Sequence, residues 1–234
     1  MAALVSAAGP FRLRPAPCPS PFRHLAEAII SQQISGRAAA AIQRRFVGLF
    51  LAEPQAEDFP QPAAVLQSSA ARLRSAGLSS AKVAAVQDLA AQTLAGVVPD
   101  TDTLLGLDDQ TIIDRLTVVR GIGPWTVQMM LMFQLGRPDV LPVADYGVRN
   151  GFRIAYELPR LPTPGELRSH GERWVPYRSA AAWYLWRAVD LDRQGILWPR
   201  PELAGSPRKS VSPRRPAPRG AAATRRRRPG GRTR

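Results

Sequence analysis

The chain of 234 residues has one cysteine, Cys18, and two histidines, His24 and His170. A single cysteine cannot close an internal disulfide. It also excludes a cysteine-ligated iron–sulfur cluster or a zinc site built on several thiolates. A reducing compartment is the expectation. The histidines have no metal-ligand spacing and read as surface or capping residues. No apolar run approaches the roughly 18 residues needed to span a membrane. The opening stretch, Met1 to Gly9, is apolar but lacks a basic flank, so it does not read as a signal peptide. Sustained period-two alternation between hairpin turns is also missing, which argues against a sheet-based body. Acidic residues are scarce at one end only. From Arg200 onward there are twelve Lys/Arg against one acid, Glu202, so that segment carries most of the +14 net charge.

What is present is helical punctuation. Residues 1–19 hold Pro10, Pro15, Pro17 and Pro19 and read as irregular. Ser20-Pro21 opens a first helix, with Phe22, Leu25, Ala26, Ile29 and Ile30 at helical spacing. A pause over Gln32–Gly36 leads to a second helix ending near Phe50. Glu53 to Pro62 reads as a loop, and short helices follow at 63–67 and 69–75. Ser79 caps a longer helix through Val83, Val86, Ala90 and Leu94. Asp108 to Val119 is another, and Val127 to Leu135, apolar nearly all round, should be a central buried one. Further helices begin near Asp145, at Pro164 and at Ser179. The body, residues 20–199, is therefore expected to be all-α. The tail, 200–234, is Arg, Pro, Ser, Ala and Gly, cannot bury a core, and is expected to be disordered.

One stretch organises the rest: Val118-Val119-Arg120-Gly121-Ile122-Gly123-Pro124-Trp125-Thr126-Val127. It reads as a helix, a tight two-glycine turn and a second helix opened by Pro124. Such a turn aims free N–H groups, at the positive end of a helix, toward an anion. The same pattern also serves as a plain helix stop and start. Downstream, Leu141-Pro142-Val143-Ala144-Asp145-Tyr146 places a carboxylate where a helix begins. Asp145 alone could be an ordinary N-cap.

Read together, four blocks resemble the helix-hairpin-helix DNA glycosylases, specifically the alkylpurine branch, DNA-3-methyladenine glycosylase II. They are Ala28–Ser35 (AIISQQIS), Leu73–Lys82 (LRSAGLSSAK), the hairpin with Asp145, and Trp174–Trp186 (WVPYRSAAAWYLW). They stand in the family's order and span roughly residues 9–192. The resemblance implies two helical subdomains with the hairpin and the active-site cleft between them. It is to the compact form, without the N-terminal β domain of longer relatives. Two departures matter. The four C-terminal cysteines of the iron–sulfur members are missing, and Trp125 stands where bifunctional members carry a lysine. An indole cannot form a Schiff base, so strand cleavage by this chain is not expected.

The resemblance also assigns residues. Asp145 becomes the catalytic carboxylate, with Asp139 its close competitor. The amides of Gly121, Ile122, Gly123 and Thr126, around Pro124, would anchor backbone phosphates of double-stranded DNA. Gln32 and Gln33 lie in the loop that fills the gap left by a flipped base, and Gln33 is the favoured wedge. Trp125, Tyr146 and Trp186, with Met129 and Phe22, would line a pocket for electron-poor alkylated purines. Met129 stands where a relative has an aromatic residue. Trp183 and Tyr184 fit a core role as well. No cofactor is required, although Na+ or K+ among the carbonyls of Thr117, Val119 and Ile122 is a family feature.

The expected activity is a monofunctional, monomeric glycosylase that removes 3-methyladenine- or 7-methylguanine-type bases. Two rivals stay open: a glycosylase for oxidised or deaminated bases, and a non-catalytic damaged-DNA-binding module. The compartment would be cytoplasmic in a bacterium and nuclear in a eukaryote. The tail's arginines would add salt-sensitive DNA affinity or be a dispensable solvated tail.

Overall fold

The computed structural model describes residues 1–16, 20–52 and 58–196. The expectations placed on Cys18 and on the tail lie outside the described residues. Within them the chain is all-α, with twelve α-helices, one 3-10 turn at Glu172–Trp174 and no strand. No helix there is long and apolar enough to cross a membrane.

The helices are α1 (Ala2–Ala8), α2 (Pro21–Ser31), α3 (Gly36–Gly48), α4 (Pro62–Gln67), α5 (Ala70–Ser75) and α6 (Ser80–Leu94). They continue as α7 (Thr101–Leu105), α8 (Asp109–Leu116), α9 (Pro124–Phe133), α10 (Tyr146–Ala155), α11 (Pro164–Gly171) and α12 (Arg178–Arg193). Their starts are chemically marked. Ser20, Ser35, Ser79 and Asp145 each accept the N–H three residues on, as do Ser69, Asp100, Asp108 and Thr163.

One group of helices gathers around α6, which packs against α2, α4 and α5. A second gathers around α12, against α10 and α1. Helix α9 lies against α2 and α8. It buries Val127, Met130, Leu131 and Met132 completely, as its nearly continuous apolar sequence requires. Each such side chain contributes about 1.5–3 kcal/mol through its removal from water.

One expectation needs correction, and one helix had none. Residues 1–19 are not irregular throughout. The prolines begin only at Pro10, and the alanine-rich start before them forms α1, whose Leu4 is buried against the rest of the core. Helix α7, capped by Asp100, falls between two helices that the periodicity marks, and it is too short to show a pattern of its own.

Candidate active site

Helix α10 begins at Asp145, whose Oδ1 accepts the Val148 N–H at 2.7 Å. This is the cap that any Asp at a helix start could make. The other contacts are not. The Trp186 indole N–H donates to Oδ1 at 2.9 Å, and the Trp125 indole N–H donates to Oδ2 at 2.8 Å. One half-buried carboxylate therefore joins the first turn of α9, the first turn of α10 and the middle of α12.

The close packing of α10 on α12 depends on two glycines that the sequence reading passed over. A Cβ at Gly147 would lie 2.9 Å from Trp186 Cδ1 and 3.0 Å from Asp145 Oδ1. A Cβ at Gly151, one turn on, would overlap the Leu185 carbonyl. Their four-residue spacing was the available signal, since it puts both on one helix face. Behind Trp186 stands Phe133, stacked at 5.8 Å between ring centroids, which was hidden in the apolar run of α9.

Asp139, the competitor, is engaged elsewhere. Arg178 grips it with two donors, Nε at 2.7 Å and a terminal nitrogen at 2.8 Å, and holds its carboxyl below the usual range. The neighbouring Ser179 Oγ donates to the Arg137 carbonyl and accepts the Val140 N–H. The start of α12 thus pins the segment that leads into Asp145.

The aromatic residues divide. Trp125 is 46% exposed and Tyr146 68% exposed, so both present faces to solvent beside the carboxylate. Met129, one turn along α9 from Trp125, is half-buried on the same helix face. Phe22 is not brought to this site. It is 4% exposed, with its ring edge-on to Phe59 at 5.9 Å, and belongs to the core. Trp183 and Tyr184 hold the N-terminal segment, the first through the ring of Phe11 and the second through a hydrogen bond to the Gly9 carbonyl. His170, half-buried in the last turn of α11, packs one side among the rings of Phe152, Tyr156 and Trp174.

The hairpin has Gly121 in the left-handed region at φ 81°. Gly123 begins α9 with no side-chain cap, which leaves first-turn N–H groups, including that of Thr126, for an outside acceptor. Ile122 differs from expectation. Its N–H donates to the Val119 carbonyl at 3.0 Å and its side chain is buried, so it closes the turn. The Thr126 side chain is buried too, so only its backbone can serve a ligand. Gln33 is exposed, at φ 59°, while the Gln32 side chain donates to the Gly121 carbonyl at 2.9 Å.

Two helices joined by a two-glycine turn, with a carboxylate capping the next helix beneath two indoles, define a helix-hairpin-helix protein. The family model described as "HhH-GPD superfamily base excision DNA repair protein" matches residues 26–177, and the chain belongs to that superfamily. It is 37% identical over 171 residues to DNA-3-methyladenine glycosylase 1 of Schizosaccharomyces pombe, covering 73% of each chain. The fold superposes on the S. pombe 3-methyladenine DNA glycosylase in complex with abasic DNA with a TM-score of 0.68. That match has 36% identity and covers 79% of this chain and 88% of that one. A DNA-3-methyladenine glycosidase from Bacillus halodurans gives a TM-score of 0.71 at 32% identity, covering 83% of this chain and 86% of that one.

Proposed function

We propose that this chain is a monofunctional DNA glycosylase that flips alkylated purines out of duplex DNA and hydrolyses their N-glycosidic bond. The observation that carries the proposal is Asp145, half-buried, oriented by three N–H donors and flanked by exposed aromatic faces.

The chemistry follows from charge. As the C1′–N bond breaks, positive charge grows on the sugar. A fixed carboxylate beside the sugar stabilises that charge and orients the incoming water. Alkylation at N3 or N7 already makes the purine cationic, so it leaves as a neutral base without a strong acid from the protein. The pocket must instead favour electron-poor rings, which Trp125, Tyr146 and Trp186 do through their π faces, with Met129 as an adaptable neighbour. The free amides of Gly123 and Thr126 at the start of α9 would hold a backbone phosphate. Gln33 would enter the space vacated by the base. Na+ or K+ on the carbonyls of Thr117, Val119 and Ile122 would add positive charge beside that phosphate. The Val119 oxygen keeps a lone pair after accepting the Ile122 N–H. The work is done wherever the DNA is, in the cytoplasm of a bacterium or the nucleus of a eukaryote.

The test uses duplex DNA treated with a methylating agent. Wild type should release free 3-methyladenine and 7-methylguanine and leave strands that break only after alkali. No release by folded protein would overturn the assignment. Breakage without alkali would show a nucleophile in place of the missing lysine.

A further inference from the structure

Resting on the glycosylase reading above, we infer that Lys82 is a positioning residue that joins the gap-filling loop and the phosphate-anchoring hairpin into one platform. Lys82 sits half-buried in the first turn of α6. Its Nζ donates to the carbonyls of Ile30 at 2.7 Å and Gln32 at 2.8 Å. These are carbonyls at the C-terminal end of α2, which have no later turn to pair with. A cationic donor there also meets the negative end of the helix.

The consequence reaches the loop tip. Gln32 leaves helical geometry, and Gln33 after it takes φ 59°, a conformation uncommon for a residue with a side chain. Such a residue persists where its surroundings determine it. Lys82 fixes the backbone immediately before it. With its carbonyl so held, Gln32 turns its side-chain amide to the Gly121 carbonyl, 2.9 Å away, and thus reaches the hairpin.

Helix α6 carries the hairpin as well. A Cβ at Gly121 would meet that of Ala85 at 3.3 Å, and Asp88 Oδ2 accepts the Arg120 N–H at 2.7 Å. Lys82, Ala85 and Asp88 follow one another three residues apart, on one stripe of α6. The loop that enters the duplex and the turn that grips its backbone are therefore mounted on a single helix. Flipping needs both to act at once, because the wedge can stay inserted only while the strand is held.

Lys82→Met keeps the aliphatic stem and removes the donors. The first measurement is amide hydrogen exchange on the whole chain without DNA. Exchange should rise about tenfold, the loss expected when hydrogen bonds from a charged donor go, in residues 31–36 and in 119–123 together. The α10–α12 pair should stay unchanged. The second is base flipping, followed by 2-aminopurine fluorescence in lesion-containing duplex. It should weaken by about tenfold, while affinity for undamaged duplex changes less than about twofold. Lys82→Arg, which restores a cationic donor, should return both readouts toward wild type. Faster exchange confined to 31–36 would overturn the inference, as would flipping equal to wild type. If Lys82→Met does not fold, Gln32→Leu removes only the bridge to Gly121. Hairpin exchange must rise there too, and an unchanged hairpin would again overturn the inference. The exchange arm needs no activity, so a wild type that releases no base would sink the glycosylase reading alone.

Discussion

The Trp125 indole N–H donates to Oδ2 of Asp145 at 2.8 Å, although Trp125 occupies the position where a lysine would be the nucleophile of a strand-cleaving relative. The indole that stands in place of an amine is instead a hydrogen-bond donor to the carboxylate. It holds one carboxylate oxygen while Trp186 and Val148 hold the other.

Asp145→Asn should therefore do more than remove a charge. Whichever way the amide turns, its NH2 faces an N–H donor, so at least one bond becomes a donor–donor contact. Single-turnover release of 3-methyladenine should fall by at least about 100-fold, the scale of removing an electrostatic stabiliser. The melting temperature should fall as well, by a few degrees. Binding to DNA with an abasic analogue should survive. Release close to wild type would remove Asp145 from the chemistry.

Trp125→Phe isolates the indole donor, because an aromatic face remains for the base. Release should slow by roughly tenfold, as expected when a hydrogen bond to a charged group is lost. A rate equal to wild type would mean that the Trp125–Asp145 bond opens before the chemical step.

Gly147→Ala tests the same carboxylate from behind. Its methyl would meet the Trp186 ring at 2.9 Å and Asp145 Oδ1 at 3.0 Å, so the indole must retreat. Overpacking of this kind costs about 1–3 kcal/mol. Denaturant unfolding should register that loss, and base release should fall further than stability alone accounts for. An unchanged rate in a folded variant would show that Trp186 does not orient the carboxylate.

Much of this was legible because it is local. Caps such as Ser20, Ser79 and Asp145 act three residues along the chain, and the nearly continuous apolar run of α9 leaves burial as its only stable placement. The hairpin and its aspartate carry a motif. What escaped depends on distant partners. Sequence already favours Asp145 over Asp139, but that Arg178, 39 residues away, grips Asp139 could not be read there. Phe22 has spacing that suits a core or a pocket equally, and Phe59 places it in the core. Gln32 reads from sequence only as a loop residue facing DNA, and its bond to the Gly121 carbonyl, 89 residues away, could not be read there.

Asp139→Asn and Arg178→Met should separate scaffold from chemistry. The pair is mostly shielded, with side chains 26% and 28% exposed, so losing either partner should cost about 2–3 kcal/mol in urea unfolding. At a temperature well below both midpoints, base release should stay within about threefold of wild type, since neither group touches Asp145. A loss as large as that of Asp145→Asn would return Asp139 to the active site.

The two histidines set a pH dependence of stability whose sign can be worked out. Burial is the main cause that pushes both His24 and His170 below their ordinary value of 6.5. Glu27 opposes the shift at His24, and Arg173 reinforces it at His170. The folded state thus binds protons less readily than the unfolded chain. Between the folded and unfolded values the unfolded state carries more protons, so stability rises with pH there. The contribution is fully present above 6.5 and is lost as pH falls from 6.5 toward the folded values. The thermal midpoint should therefore drop when pH is lowered from about 7.5 to about 5.5, a range in which ordinary carboxylates stay ionised. His170→Phe keeps a ring among Phe152, Tyr156 and Trp174 and removes the titration. It should flatten that drop, and a midpoint that falls as steeply as in wild type would show that protonating His170 is not what destabilises the aromatic cluster.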